Sequence, residues 1–284
     1  MTYARFLMQF LLVPIILLAV LVLRDRYVTR KHGARSMGWS SFVMVIALIV
    51  VAVVYTTPWD NHLVASGVWS YDPALVSGMT LGWIPVEEFI FFPLQTLLIG
   101  LWFLWLAPRL GSPGIGAHQT GARFDDTMGE HARKGRNGSM ARLVAVATCG
   151  GLWVVALVIL LLRWQPGTYL GWELVWVLPP VIAQLSLGAD ILWRYRRLLG
   201  AILIPVVLYL CTVDALAIHD GIWTIDPRQS LGMLLGGQLP LEELVFFSLT
   251  TVLVAFGLVL GLAAESRKRI HTYRAHLSYS LGRR

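Results

Sequence analysis

Charge is scarce in this 284-residue chain: 14% of residues are Asp, Glu, Lys or Arg against 57% hydrophobic, and the mean hydropathy is +0.67. That balance excludes a soluble monomer and indicates an integral membrane protein. There are only two cysteines, Cys149 and Cys211, both inside apolar runs, so neither a disulfide framework nor a cysteine metal site is expected. No polar/apolar alternation suggests a β-barrel. The Gly-rich string at 111–116 follows no strand and lacks the Lys-Ser/Thr ending of a phosphate loop. The net charge of +7 does not imply nucleic acid, because the basic residues flank apolar runs, where anionic headgroups are the nearer partner.

Long apolar runs are what the chain does have. Seven of them, at about residues 6–23, 39–57, 84–106, 142–162, 170–191, 198–218 and 239–263, are long enough to span or nearly span a bilayer as helices. The expected fold class is therefore all-α, a polytopic membrane helix bundle of about seven transmembrane helices. Of 23 basic residues, 20 fall in alternate connections: Arg24 to Arg35, Arg109 to Arg142, Arg194 to Arg197, and the tail after Ala264. Arg5, Arg163 and Arg228 lie on the other side. The positive-inside rule then predicts a multi-pass cell-membrane protein with its N-terminus outside and its C-terminus in the cytoplasm. The first span lacks a charged lead and a small-residue cleavage site, so it is expected to stay uncleaved.

The chain also repeats itself. Asp60, Gly67, Trp69, Asp72, Pro73, Gly78 and Met79 reappear as Asp214, Gly221, Trp223, Asp226, Pro227, Gly232 and Met233. After a one-residue shift, PVEEFIFF from Pro85 aligns with PLEELVFF from Pro240. Spans one to three match spans five to seven, and an unmatched fourth span makes the repeats parallel, with a pseudo-two-fold axis along the membrane normal. The predicted organisation is a first repeat at 1–106, a Gly-rich cytoplasmic linker plus connecting span at 107–169, a second repeat at 170–263 and a basic tail at 264–284.

The acids in the repeat carry the functional expectation, because an ionisable group in or near a bilayer costs several kcal/mol unless it is paired, protonated or facing a polar cavity. Glu87, Glu88, Glu242 and Glu243 fall in first helical turns behind Pro85 and Pro240, where the helix dipole alone stabilises an acid by about 0.3–1 kcal/mol. Adjacent helical residues diverge by about 100°, so one glutamate of each pair faces the bundle and the other a neighbouring span or the interface. Asp60 and Asp214 are expected at the outward ends of spans, where the dipole opposes them. The outer half holds ten of the 16 acids, Glu173 among them, against three arginines. Burial without a cation, and a like charge nearby, favour a neutral carboxylic acid, which is a proton donor.

Phe91, Phe92, Phe246 and Phe247 follow these glutamates at helical spacing and offer π faces that stabilise a carbocation without trapping it. Trp69 and Trp223 join them as candidate substrate contacts, although Trp also favours the interface belt. His62 and His219 are not at equivalent positions and have no second ligand at metal spacing, so no metal is expected. Asp190 and Arg194 are spaced for a surface ion pair, Asp125 and Asp126 for solvated charge, and Pro14, Pro93, Pro179, Pro180 and Pro205 for bending their spans.

PWDNHLVASGVWSYDP followed by PVEEFIFF, and VDALAIHDGIWTIDP followed by PLEELVFF, resemble the two halves of the non-flavin, heterodimeric-type lycopene (carotenoid) cyclases in their fused form. The resemblance implies redox-neutral closure of the linear ends of lycopene or a related carotene into six-membered rings, β-ionone foremost among the β, ε and γ types that relatives make, on C40 or longer C50 chains. It further implies no cofactor, the repeat glutamates as acid and base, and Asp60 and Asp214 as relay or positioning groups. A second copy of the chain or carotenoid-pathway enzymes are the protein partners it suggests, beside the bilayer itself. A retinal protein would need a lysine in the last span, which has none. A prenyltransferase would need clustered aspartates for Mg²⁺-diphosphate. A proton-coupled transporter of a small or lipophilic substrate is the rival reading, since embedded acids and repeats suit it too.

Overall fold

A computed structural model describes residues 1–31, 38–110, 115, 128–267 and 269. The Gly-rich string at 111–116, Asp125, Asp126 and most of the basic tail lie outside these, apart from isolated residues. Among the described residues, seven helices are long and apolar enough to cross a membrane. They are α1 (Tyr3–Thr29), α2 (Trp39–Ala65), α3 (Val86–Leu106), α4 (Gly138–Leu161), α5 (Thr168–Arg194), α6 (Arg196–His219) and α7 (Leu241–Leu262). The all-α membrane bundle expected from the hydropathy pattern is the one observed.

The glutamate-bearing helices α3 and α7 form the centre and pack on each other. Helix α3 is flanked by α1 and α2, and α7 by α5 and α6. Helices α2 and α6 each also reach the opposite central helix. Gln95 of α3 donates from Nε2 to Thr250 Oγ1 of α7 at 2.9 Å. Close approach is made possible by glycine: a Cβ at Gly100 would lie 2.7 Å from Val45 Cγ1 of α2. Helix α4 packs chiefly on α5 and is little buried.

Prolines in α1 and α5 leave their mark on the backbone. Pro14 follows a wide π turn at Met8–Leu12, and its ring disfavours a hydrogen bond to the Phe10 carbonyl. In a bilayer that oxygen needs another donor, and Tyr209 Oη of α6 supplies it at 2.6 Å. Pro180 stands in the same relation to Trp176, whose carbonyl accepts from Tyr55 Oη of α2 at 2.8 Å. The recorded break in α5 falls at Gly188 rather than at Pro179 and Pro180, where bending was expected.

Between spans the chain forms short strands: β1 (Trp69–Tyr71), β2 (Thr80–Leu81), β3 (Ile84–Pro85), β4 (Trp223–Ile225), β5 (Leu234–Leu235) and β6 (Leu239–Pro240). Strands β2–β3 and β5–β6 are local pairs, whereas β1 pairs antiparallel with β4 from the other half, Ser70 opposite Thr224. Their hydroxyls meet at 3.1 Å, and beyond them Asp72 N donates to Ile222 O at 3.2 Å and Asp226 N to Val68 O at 2.8 Å.

This ribbon is launched by matched helix ends. After α2, Gly67 takes φ +71°; its N–H donates to Val64 O, and that of Val68 to Leu63 O. After α6, Gly221 takes φ +73° and repeats both bonds with Ile218 and Ala217. This left-handed termination favours glycine because it carries no Cβ.

Two local expectations change. Asp60 and Asp214 do not close their helices, which continue to Ala65 and His219 because the positive-φ glycine, rather than the acid, sets the stop. Asp190 pairs with Arg269 (2.6 and 2.9 Å) and Arg142 (3.5 Å), while Arg194 pairs with Glu265 (2.7 Å). Fork-to-fork geometry with Arg269 outcompetes the local spacing.

Candidate active site

A narrow cavity with room for about 40 Å³ of water-sized groups lies between the two central helices and the β1–β4 ribbon. Glu88 and Glu243, each the second glutamate of its pair, both face it, together with Asp214. Its aromatic walls include Phe91, Phe92, Phe246, Phe247, Trp69 and Trp223, the residues expected from their spacing. Tyr3, Tyr71, Tyr169 and Trp59 complete the aromatic lining.

The glutamate pairs divide as their angular separation predicts. Pro85 and Pro240 are N-caps rather than first-turn residues, pinned by β3 and β6, which leaves each pair at the start of its helix. Glu87 Oε1 accepts the Ser77 N–H at 2.7 Å, and Glu242 Oε1 accepts the Leu231 N–H at 2.7 Å. These two turn away from the cavity and tie down the preceding loop. Glu88 Oε2 instead accepts from Tyr3 Oη at 2.5 Å, and Glu243 Oε1 from Tyr169 Oη at 2.7 Å. The tyrosines are positioned in turn by main chain: Tyr3 N donates to Leu75 O at 2.8 Å and Tyr169 N to Gln229 O at 3.0 Å.

Asp60 is fully buried beside this cavity, and neither of its carboxyl oxygens has a partner. Burial, and then the Glu88 and Asp60 carboxyls beside it, push the Tyr71 phenol well above its ordinary range. Glu173 of α5 is likewise fully buried with both oxygens unpartnered. Among the described residues, no lysine, arginine or histidine forms an ion pair with Asp60, Glu87, Glu88, Glu173, Asp214, Glu242 or Glu243.

Tyr3, Tyr169, Tyr71 and Glu173 are site residues that motif reasoning passed over. A signal for the first two exists: Tyr3 precedes Pro14 by the same interval as Tyr169 precedes Pro180, in spans one and five of the repeat. Tyr71 and Glu173 have no such signal, because they break the repeat. Tyr71 corresponds to Ile225, and the residue four beyond Tyr3 is Leu7, whereas four beyond Tyr169 it is Glu173.

The lycopene cyclase family model matches residues 2–106 and 166–262, omitting the linker and all of α4. The chain belongs to the lycopene cyclase family. A lycopene beta-cyclase of Halobacterium salinarum is 37% identical over 213 residues, covering 75% of this chain and 79% of the relative. Bifunctional lycopene cyclase/phytoene synthases of Podospora anserina and Leptosphaeria maculans are 31% and 34% identical over 220 residues, covering 76% and 75% of this chain. In each case this is 35% of the longer fungal protein. No solved structure matches. Within this lycopene cyclase family chain, the matched segments contain every residue that lines the cavity.

Proposed function

We propose that this lycopene cyclase closes the linear ends of lycopene or a related carotene into β-type rings by proton-initiated cyclisation, with Glu243 as proton donor and Glu88 as proton acceptor. The observation that carries the reading is a single cavity in which two buried glutamates, each held by a tyrosine hydroxyl, face a wall of aromatic rings. The carboxylic acid protonates the terminal double bond. The tertiary cation is attacked by the nearby internal alkene, the new carbon–carbon bond closes the ring, and a carboxylate removes the proton that restores a double bond. No electrons are gained or lost. The rings of Phe91, Phe92, Phe246 and Phe247 offset the travelling positive charge, and exclusion of water prevents its capture as an alcohol.

The two departures from the repeat support the division of labour. Glu88 accepts from Tyr3 and lies beside the second phenol of Tyr71. Two hydroxyls beside one carboxyl fix its orientation toward the cavity, the arrangement assigned here to the proton acceptor. Glu243 has Tyr169 alone, and its half carries the extra, unpartnered carboxyl of Glu173 one helical turn beyond Tyr169. The additional carboxyl gives that half one more group through which a proton can be relayed, the arrangement assigned here to the donor. Asp60 and Asp214 serve as positioning or relay groups. The reciprocal β1–β4 bonds support a two-repeat arrangement; the outward-facing site and the sidedness of the termini rest on the basic loops alone.

Expression in a lycopene-accumulating bacterial host, followed by chromatography and mass spectrometry, tests the reading. A product of unchanged mass and shortened chromophore is expected from the wild type. Glu243→Gln should leave lycopene unreacted, whereas Glu88→Gln should release wrongly terminated products, either alternative ring isomers or water adducts. The reverse pattern would exchange the roles, and full turnover by both variants would refute them.

A further inference from the structure

We propose that the seam between α2 and α5 is a lateral groove for a linear polyene hydrocarbon. The reacting end occupies the buried cavity while the rest of the chain runs out along this seam into the bilayer. The identity of the ligand rests on the cyclase reading; its location rests on separate geometry.

The cavity cannot contain the whole substrate. Its room for water-sized groups is about 40 Å³, far below the about 300–1,000 Å³ typical of sites that enclose a drug-sized ligand. One end group enters only as the aromatic walls part around it, and the long remainder of a carotene must leave through a wall. The β1–β4 ribbon closes the outer side. The wall formed by Trp59 is different, because its far side faces a second, wider void of about 770 Å³ by the same measure. Val51, Val54 and Pro58 of α2 and Val175 of α5 line that groove, with Trp59 and Trp176 as its floor. Along α2 it extends from Val50 to His62, about 18 Å at 1.5 Å per residue.

Trp59 is shared by the two spaces. Its ring stacks on Trp176 at 4.2 Å and 16°, and on Phe246, a cavity residue, at 5.8 Å and 7°. A run of near-parallel aromatic faces therefore leads from the membrane-facing groove to the reaction centre.

The polar atoms along the groove's floor specify a ligand without polar groups. Tyr55 Oη donates to Trp176 O, Trp59 Nε1 to Trp172 O at 3.2 Å, and Trp176 Nε1 to Tyr55 O at 3.4 Å. All three donors are committed to main-chain carbonyls across the seam, and they also hold the helices apart at a fixed spacing. Val51 and Val54 are 59% and 69% exposed, so the groove opens toward the surrounding lipid. Acyl chains and polyenes share its chemistry, but the stacked rings favour a flat conjugated chain over a flexible saturated one.

The test uses the full chain in membranes. p-Benzoylphenylalanine is placed at position 54, or at the lipid-facing position 204 of α6 as a control, in a Glu243→Gln background that spares the substrate. Irradiation with lycopene present should give a carotene-mass adduct at 54 and none at 204. Phospholipid adducts alone at 54, or equal carotene labelling at both positions, overturn the proposal. Independently, Val51→Trp with Val54→Trp should lower conversion at least tenfold with unchanged membrane insertion, while Ile204→Trp converts normally. Wild-type conversion by the filled groove also overturns it. If the carotene adduct forms at 54 but the wild-type chain leaves lycopene uncyclised, the cyclase reading fails and the groove stands.

Discussion

Replacing Tyr169 with Phe removes one oxygen and little else, because the ring keeps its edge-on packing against Trp69 at 5.3 Å. What disappears is the 2.7 Å bond from its hydroxyl to Glu243 Oε1, both partners being buried. A buried polar group stripped of its partner costs about 1–3 kcal/mol. If that bond holds the Glu243 carboxyl toward the cavity, the loss falls on the proton-transfer step. At 1.36 kcal/mol per decade it slows ring closure by roughly 5–150-fold. The assay is the initial rate of lycopene loss per mole of inserted protein in isolated membranes, with thermal unfolding followed in parallel. Tyr169→Phe should slow the reaction without changing the product. Tyr3→Phe, acting on Glu88, should alter the ratio of ring isomers as well. Wild-type rate and product from both variants would show that the tyrosines are packing residues only and would remove the argument for how the glutamates are held.

Glu87→Gln and Glu242→Gln should retain most activity but lower thermal stability, because these carboxyls accept the Ser77 and Leu231 N–H groups; abolished chemistry with unchanged stability would contradict that role. Gly100→Leu should strongly reduce the amount of inserted protein, since even a Cβ would press on the buried Val45 at 2.7 Å, and normal yield by immunoblot would argue against tight α2–α3 packing. The Asp226 carboxyl is held below its ordinary range by the Arg228 backbone N–H and then its guanidinium. A depressed folded pKa stabilises the loop above the ordinary carboxylate range and loses that effect as pH falls through the folded value. Protease protection of the 226–229 loop should therefore decline only in acid, and Asp226→Asn should remove this dependence.

The seven spans were legible in the sequence because membrane crossing imposes a length and hydropathy that few other structures share. Glu88, Glu243 and the four phenylalanines were legible because the motif occurs twice. The split within each glutamate pair was expected from helix geometry, but which member turns inward is decided by the Ser77 and Leu231 N–H groups, which local spacing does not reveal. The β1–β4 ribbon was invisible: each strand has three residues and its partner lies in the opposite half, so neither carries a periodic signal. Glu173 is one of the ten outer acids but stands outside the repeat, because the matching position in the first half is Leu7. The Asp190 pairing failed for a related reason: four-residue spacing competes poorly with a bidentate arginine arriving from beyond α7.

The meeting of Ser70 with Thr224 has a consequence for how such a chain can arise. A residue that faces its own counterpart across a two-fold axis makes a contact already available to two identical molecules, with no complementary surface to invent. A single ancestral unit able to form that ribbon would have assembled as a pair, and every mutation in it would have been felt twice. Joining such copies through the extra helix would end that constraint. Tyr71 could then part from Ile225, and Glu173 from Leu7, so that one glutamate could specialise without dragging the other along.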